Sequence, residues 1–259
     1  MKAGSAFDNI NVMKVSAVII TFNEEENIKR CIASLGFADE VVVVDSGSRD
    51  KTAQIAKELG ALVFTHGWQG YSKQKNFAVS KARNEWVLSL DADEVVSPEL
   101  GEELTKIIIS PYEGYSIPRR AFFLGRWINH CGWYPDLQLR LFRKKAGRFD
   151  ETKQVHERFL LNGKAGLLKN DLFHYTYTNL GQYFSTLNRY TELAAISMKE
   201  KGRKGRVSDL LLNPPCTFFK MYVLKFGFLD GLPGLFVCLL SSFYNFVKYA
   251  KLWELTRKK

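Results

Sequence analysis

Asp91, Asp93 and Glu94 crowd three carboxylates into four residues, directly after the apolar run WVLSL at 86–90. On an extended or turning segment, residues two apart point the same way, so Asp91 and Asp93 can face one ion. Hard oxygen ligands suit Mg²⁺ or Mn²⁺, and a site with so few protein ligands leaves positions for substrate phosphates. An isolated D-x-D also occurs in solvated turns. Here the preceding apolar run favours the metal reading, because parallel α/β sheets bind ligands beyond the carboxyl ends of their strands. Asp45 closes a run of four valines. It reads either as the turn-forming acid before Ser46-Gly47 or as an acceptor for a nucleotide's base or ribose. Lys75-Asn76 can meet an anionic nucleotide, whereas Lys73 and Lys81 read as a solvated helix face.

The elements that must position these groups alternate. Strands are expected at 15–21, 41–44, 61–65 and 86–90, and helices at 24–35, 50–59 and 72–83. A further helix opens at Ser97-Pro98, with Ser as N-cap and Pro at the first position, and carries Leu100, Leu104, Ile107 and Ile108 as its apolar stripe. Strand–helix alternation predicts a parallel sheet with right-handed crossovers. Three polar signals then fall at strand ends: residues 21–24, Asp45, and Asp91 with Asp93. Beyond 112 the pattern changes to aromatics interleaved with arginines, and no strand there is distinct. Residues 178–198 read as a helix and 199–206 (KEKGRKGR) as a solvated linker.

With 259 residues, 46% of them hydrophobic, the chain can form one sizeable α/β domain with an appendage. Its formal charge of +10 fits nucleic acid, an anionic membrane surface or a phosphorylated substrate. Cys31, Cys131, Cys216 and Cys238 form no C-x-x-C pair, so reduced, mostly buried thiols of a cytosolic protein are expected. No secretory signal is expected at the N-terminus.

Four strings occur in order: Ile20-Thr21-Phe22-Asn23-Glu24, VVVVDSGSRDKT at 41–52, Gln74-Lys75-Asn76, and LSLDADE at 88–94. Together, over roughly residues 13–104, they resemble the inverting family 2 glycosyltransferases. The resemblance implies the GT-A fold, a Rossmann-like, mostly parallel nucleotide-sugar-binding sheet flanked by helices, here with a helical C-terminal extension. It implies that Thr21, Phe22 and Glu24 line the nucleotide pocket and that Asp45 holds the uridine. Lys75 would approach the nucleotide, Asp91 and Ala92 would contact the nucleotide-sugar, and Asp91 with Asp93 would hold Mg²⁺ or Mn²⁺. The family often has Pro at the position of Ile20 and Tyr at that of Phe22. Stacking on a base survives with Phe; a tyrosine hydroxyl contact does not. Residues 133–142 and Gln154-Val155-His156-Glu157 resemble a narrower group, the lipopolysaccharide core glucosyltransferases acting on inner-core heptose. That implies a UDP-sugar donor and a glycolipid acceptor.

Inversion by single displacement requires a neutralised diphosphate, a base for the acceptor hydroxyl and in-line positioning. Glu157 lies where related enzymes place the base; Asp136 is the second candidate, ahead of Asp150 and Glu151. His156 would orient Glu157 or touch phosphate, and His174 would add a metal contact. Arg140, Arg143, Lys144, Lys145 and Arg148 read as contacts to acceptor phosphates or as a solvated face. Residues 231–247 carry no charge. At seventeen residues they are short for a span of about 20, so an interfacial helical hairpin is expected, ahead of a buried helix or a true span.

The expected segments are a nucleotide-sugar-binding half (13–115), an acceptor and catalytic half (116–200) and a membrane-associating extension (205–259). The expected location is the cytoplasmic face of the inner membrane, with no nucleic-acid partner. A polyprenyl-phosphate or other glycan acceptor is the alternative within enzymes. A non-catalytic nucleotide- or nucleic-acid-binding module is the alternative outside them, and acids at the strand ends argue against it.

Overall fold

The computed structural model describes residues 13–107, 111–152, 158–177 and 179–257. They fall into two compact units: one within Met1–Arg119 and Leu137–His174, the other within Arg120–Asp136 and Tyr175–Lys259. Segment 13–115 lies inside the first unit and 205–259 inside the second, while 116–200 is divided between them.

In the first unit, β1 (Val15–Thr21) is buried at every position. Both faces of this central strand are covered, which is why its sequence stays apolar without alternating. It pairs in parallel with β2 (Glu40–Asp45) and β4 (Trp86–Asp91), and β3 (Leu62–Thr65) adds beyond β2. The period of two divides its side chains. Val15, Ala17 and Ile19 enter a core with α1 (Glu25–Ala33), α2 (Thr52–Glu58) and α4 (Pro98–Thr105). Val18 and Ile20 enter a second core with Ala78 and Val79 of α3 (Tyr71–Lys81).

Ser97 caps α4 as expected, its Oγ accepting the Leu100 N–H at 3.1 Å with Pro98 following. Ser97→Ala is expected to lower the unfolding free energy by about 1 kcal/mol, read from urea denaturation. Ile108 lies outside the described residues.

The sheet is not parallel throughout. The remaining strands are β5 (Glu94–Val96), β6 (Gly114–Phe123), β7 (Arg126–Trp127), β8 (Asp136–Arg143), β9 (Gly147–Phe149), β10 (Phe159–Leu161), β11 (Ala165–Leu167) and β12 (Leu172–Tyr177). The order is β3-β2-β1-β4-β8-β6-β12-β5, with β8 antiparallel to β4 and β12 antiparallel to β5. β5 ends this path, yet in the chain it follows β4 after only Ala92 and Asp93. The sheet must therefore curl until its last strand returns beside β4.

In the second unit, α5 (Leu180–Glu200) packs with α7 (Gly231–Arg257), which packs on α6 (Val207–Phe219). A π-helical turn (Lys220–Leu224) and a 3₁₀ turn (Gly227–Asp230) join α6 to α7. Asp230 is buried; its carboxylate accepts the Asn129 and His130 N–H groups and pairs with His130 Nδ1 at 3.0 Å. The expected solvated linker is partly tied down. Arg203 lies over the Tyr249 ring, and a Cβ on Gly205 would meet the Trp253 backbone at 2.4 Å. All four cysteines are free thiols, with only Cys216 exposed.

Candidate active site

Strand ends supply the site, and side chains lace the loops that follow them. After β1, Asn23 adopts φ 52°, its N–H donating to Ser48 Oγ at 2.8 Å while its Oδ1 accepts the Arg49 N–H at 2.8 Å. The Glu24 N–H donates to Thr52 Oγ1 at 2.8 Å. The loops after β1 and β2 are thus fixed to each other.

Asp45 is buried at the end of β2, and its Oδ2 accepts the N–H groups of Gly47 and Ser48 at 3.1 and 2.9 Å. Gly47 sits at φ 90°, where a side chain would strain the turn. The turn-forming role weighed for Asp45 is therefore present. Thr21 is buried, and its Oγ1 has no hydrogen-bond partner among the described residues. Phe22 is 52% exposed, free to present its ring to a ligand.

Asp91 is the last residue of β4, and two cations hold its carboxylate. Lys75, fully buried on α3, places Nζ 2.9 Å from Oδ1, and Arg140 on β8 places Nη2 2.7 Å from Oδ2. The same Arg140 nitrogen reaches Glu94 Oε1 at 2.5 Å, and Arg119 of β6 reaches that oxygen at 3.0 Å. Glu94 Oε2 accepts the Asp91 N–H at 3.0 Å. Burial pushes the Asp91 carboxyl up, but the Lys75 and Arg140 charges outweigh it and hold the group well below the usual carboxylate range. Burial likewise opposes the charge on Arg140, and Glu94 and Asp91 overcome it, raising the guanidinium further.

Asp93 lies in the β4–β5 turn and faces elsewhere. Its Oδ2 is 3.1 Å from His174 Nε2, both side chains being about a fifth to a quarter exposed. The strand register explains the meeting: Glu94 of β5 is paired with His174 of β12, one residue from Asp93. Burial, with the Asp93 and Asp50 charges adding, raises the Glu24 carboxyl above its usual range despite the hydrogen bond from Asn27.

Asp91, Arg140, Arg119, His174 and Glu94 thus come from β4, β8, β6, β12 and β5, which are consecutive in the sheet. Curling of the sheet builds the cluster. The adjacent turn residue Ala92 is buried.

Several sequence expectations change. Asn76 clamps β9, donating to Phe149 O at 3.1 Å and accepting the Phe149 N–H at 2.9 Å. Arg140 is a buried partner of Asp91 and Glu94, not a solvated contact for acceptor phosphates. Arg143 pairs with Glu85 at 2.5 Å and lies over the Trp86 ring, and Lys144 donates to the Ala82 carbonyl at 2.6 Å. Packing against β4 and the end of α3 consumes most of that basic segment. Asp136 is half-buried at the start of β8, in the second unit. His156 and Glu157 lie outside the described residues. Sequence reasoning missed Arg119 altogether; the charged pair Arg119-Arg120 inside an otherwise apolar segment was its only signal.

Comparison with known proteins matches residues 16–160 to the family described as glycosyl transferase family 2. An uncharacterized glycosyltransferase of Rickettsia typhi is 34% identical over 258 residues, covering 95% of this chain and 88% of that one. The lipopolysaccharide core biosynthesis glycosyltransferase LpsC of Rhizobium meliloti is 30% identical over 255 residues, covering 93% of each. The crystal structure of S. aureus TarS residues 1–349 in complex with UDP-GlcNAc is similar in fold, with TM-score 0.50 and 17% identity over 95% of this chain and 92% of that chain. The curled mixed sheet is of the GT-A type. With a family model covering more than half its residues and relatives aligned almost end to end, the chain belongs to glycosyl transferase family 2.

Proposed function

We propose that this glycosyltransferase inverts a hexose, glucose from UDP-glucose, onto a heptose of the lipopolysaccharide inner core, working on the cytoplasmic face of the inner membrane against an anionic surface. The acceptor reading is supported by the likeness to LpsC over nearly the whole of both chains. The observation that carries the chemistry is the half-buried Asp93–His174 pair beside the ion pairs that Arg140 makes with Asp91 and Glu94 at the end of β4.

A divalent ion fits this pair. A carboxylate oxygen and an imidazole nitrogen already face each other, and the imidazole favours a transition metal such as Mn²⁺ over Mg²⁺. No group of three or more such side chains among the described residues can hold a metal, so diphosphate oxygens would complete the set. When bound, the metal supplies Lewis-acid neutralisation of the departing diphosphate. Asp91 takes a different part, because both its oxygens already meet cations. It keeps Lys75 and Arg140 fixed and the β4 terminus rigid, so that the groups facing the donor are preorganised.

Phe22 stacks on the base, the unpartnered Thr21 hydroxyl and Asp45 meet the nucleoside, and Glu24 and Ala92 line the donor. Glu157 accepts the proton of the acceptor hydroxyl as the new bond forms, with Asp136 the second candidate. The donor is held for in-line attack, which supplies the orientation part of the rate.

Calorimetric titration of UDP and GDP, with Mn²⁺ and with EDTA, tests the donor half. UDP is expected to bind in Mn²⁺, to lose binding in EDTA and to exceed GDP. Absence of binding by either nucleotide under every condition would sink the reading. Transfer of labelled glucose to polyprenyl phosphate, but not to heptose-containing core, would leave the enzyme and replace its acceptor.

A further inference from the structure

The second unit carries an apolar face that its own fold leaves uncovered. On α7, Leu232, Phe236, Leu239, Phe243 and Phe246 are each 37–60% exposed. Their spacing of four, three, four and three holds them within an arc of about 80° at ~100° per residue. The other side of α7 is the packed one, burying Gly234, Val237, Cys238, Tyr249 and Leu252. Where the chain turns from α6 to α7, Phe219, Leu224, Phe226, Phe228 and Leu229 are also exposed, each 46–60%. Together they exceed the scattered apolar exposure ordinary for a soluble surface.

Charge indicates the occupant. From 210 to 253 the only acid is Asp230, which is buried on His130, whereas Lys220 and Lys225 are exposed among the apolar side chains of the turn. A soluble helix partner on a four-three stripe would call for charged residues beside the seam. Residues 231–247 contain none. Apolar side chains with lysines at their border match the headgroup region of an anionic bilayer.

We propose that the α6–α7 hairpin is a monotopic membrane anchor, its turn and the α7 stripe lying in the interfacial layer of an anionic leaflet without crossing it. Two observations set the mode. Seventeen uncharged residues give about 25 Å of helix, short of the ~30 Å hydrocarbon core. The inner side of α7 is also committed to protein: Ser242 Oγ donates to Pro214 O at 2.8 Å and Asn245 Nδ2 to Thr217 Oγ1 at 3.0 Å, so lipid cannot surround the helix. The inference deepens the glycolipid-acceptor reading, on which it rests for the leaflet, and names the surface that brings the enzyme to that acceptor.

The test is co-sedimentation of the full chain with vesicles of phosphatidylcholine alone and with added phosphatidylglycerol, without donor or acceptor. The wild type is expected to sediment with the anionic vesicles and to be released by high salt in part and by alkaline carbonate fully. Lys220→Gln/Lys225→Gln is expected to weaken partitioning about thirtyfold. Phe243→Asp should weaken it at least as much, and both variants should retain the wild-type response to UDP. A chain that stays in the supernatant, or variants that bind as the wild type does, would overturn the anchor. Retention through carbonate would overturn the lying mode. A dimer in sedimentation equilibrium that Phe243→Asp dissociates, without vesicle binding, would assign the face to a second copy. Vesicle binding without sugar transfer would leave the anchor standing and defeat the acceptor reading.

Discussion

Asp93→Ala is expected to lower kcat/KM for sugar transfer about a thousandfold, matching the several kcal/mol that a metal-held diphosphate contributes in the transition state. Stability should hardly move, within about 0.5 kcal/mol, because the side chain is a quarter exposed and its partner is a single imidazole. The decisive reading is the Mn²⁺ concentration needed for half-maximal rate, which should rise steeply. His174→Ala should show the same displacement with a smaller loss, roughly ten- to a hundredfold. Asp91→Asn offers the contrast. Its loss of activity should be accompanied by a loss of stability, since it takes from the buried Lys75 the carboxylate charge 2.9 Å from its Nζ. If Asp93→Ala keeps the wild-type Mn²⁺ dependence while Asp91→Asn shifts it, the parts assigned to the two aspartates must be exchanged.

The first half of the fold was legible because its strands report burial directly. VSAVIIT and VVVV are covered on both faces, and crossover helices begin within a few residues of their expected positions. β5 and β12 were not legible. Three residues of EVV alternate too briefly to register, and the half-buried LFHYTY gives the mixed pattern of a strand near a sheet's end. The site follows the same division. Asp91 and Asp93 were visible as a strand-end pair, but spacing alone treats them alike. What separates them is long-range: Arg140 and Lys75 arrive at one carboxylate and His174 at the other. Arg140 looked like one more residue of a basic run, and only the curl of the sheet takes it inside.

That curl places two ion pairs on a single nitrogen. Arg140 Nη2 bridges Asp91 and Glu94, and Glu94 is wholly buried. Arg140→Met is expected to lower the unfolding free energy by about 3–5 kcal/mol at pH 7, because it leaves the buried Glu94 and the partly buried Asp91 short of a cation, not because the pair itself is worth that much. Arg140→Lys, which keeps the charge, should recover a substantial part; wild-type stability in Arg140→Met would refute the assignment. The loss should also depend on pH with a definite sign. The folded Asp91 carboxyl is held below its unfolded value near ~3.9, so its contribution is complete above that pH and is lost as pH falls further. Acid therefore removes from the wild type what the variant already lacks. The gap between the two urea midpoints should narrow on going from pH 6 toward pH 3, both numbers marking roughly the window set by that unfolded value. A gap that stays the same on acidification would mean that Arg140 stabilises the fold through packing of its stem and not through the charges it joins.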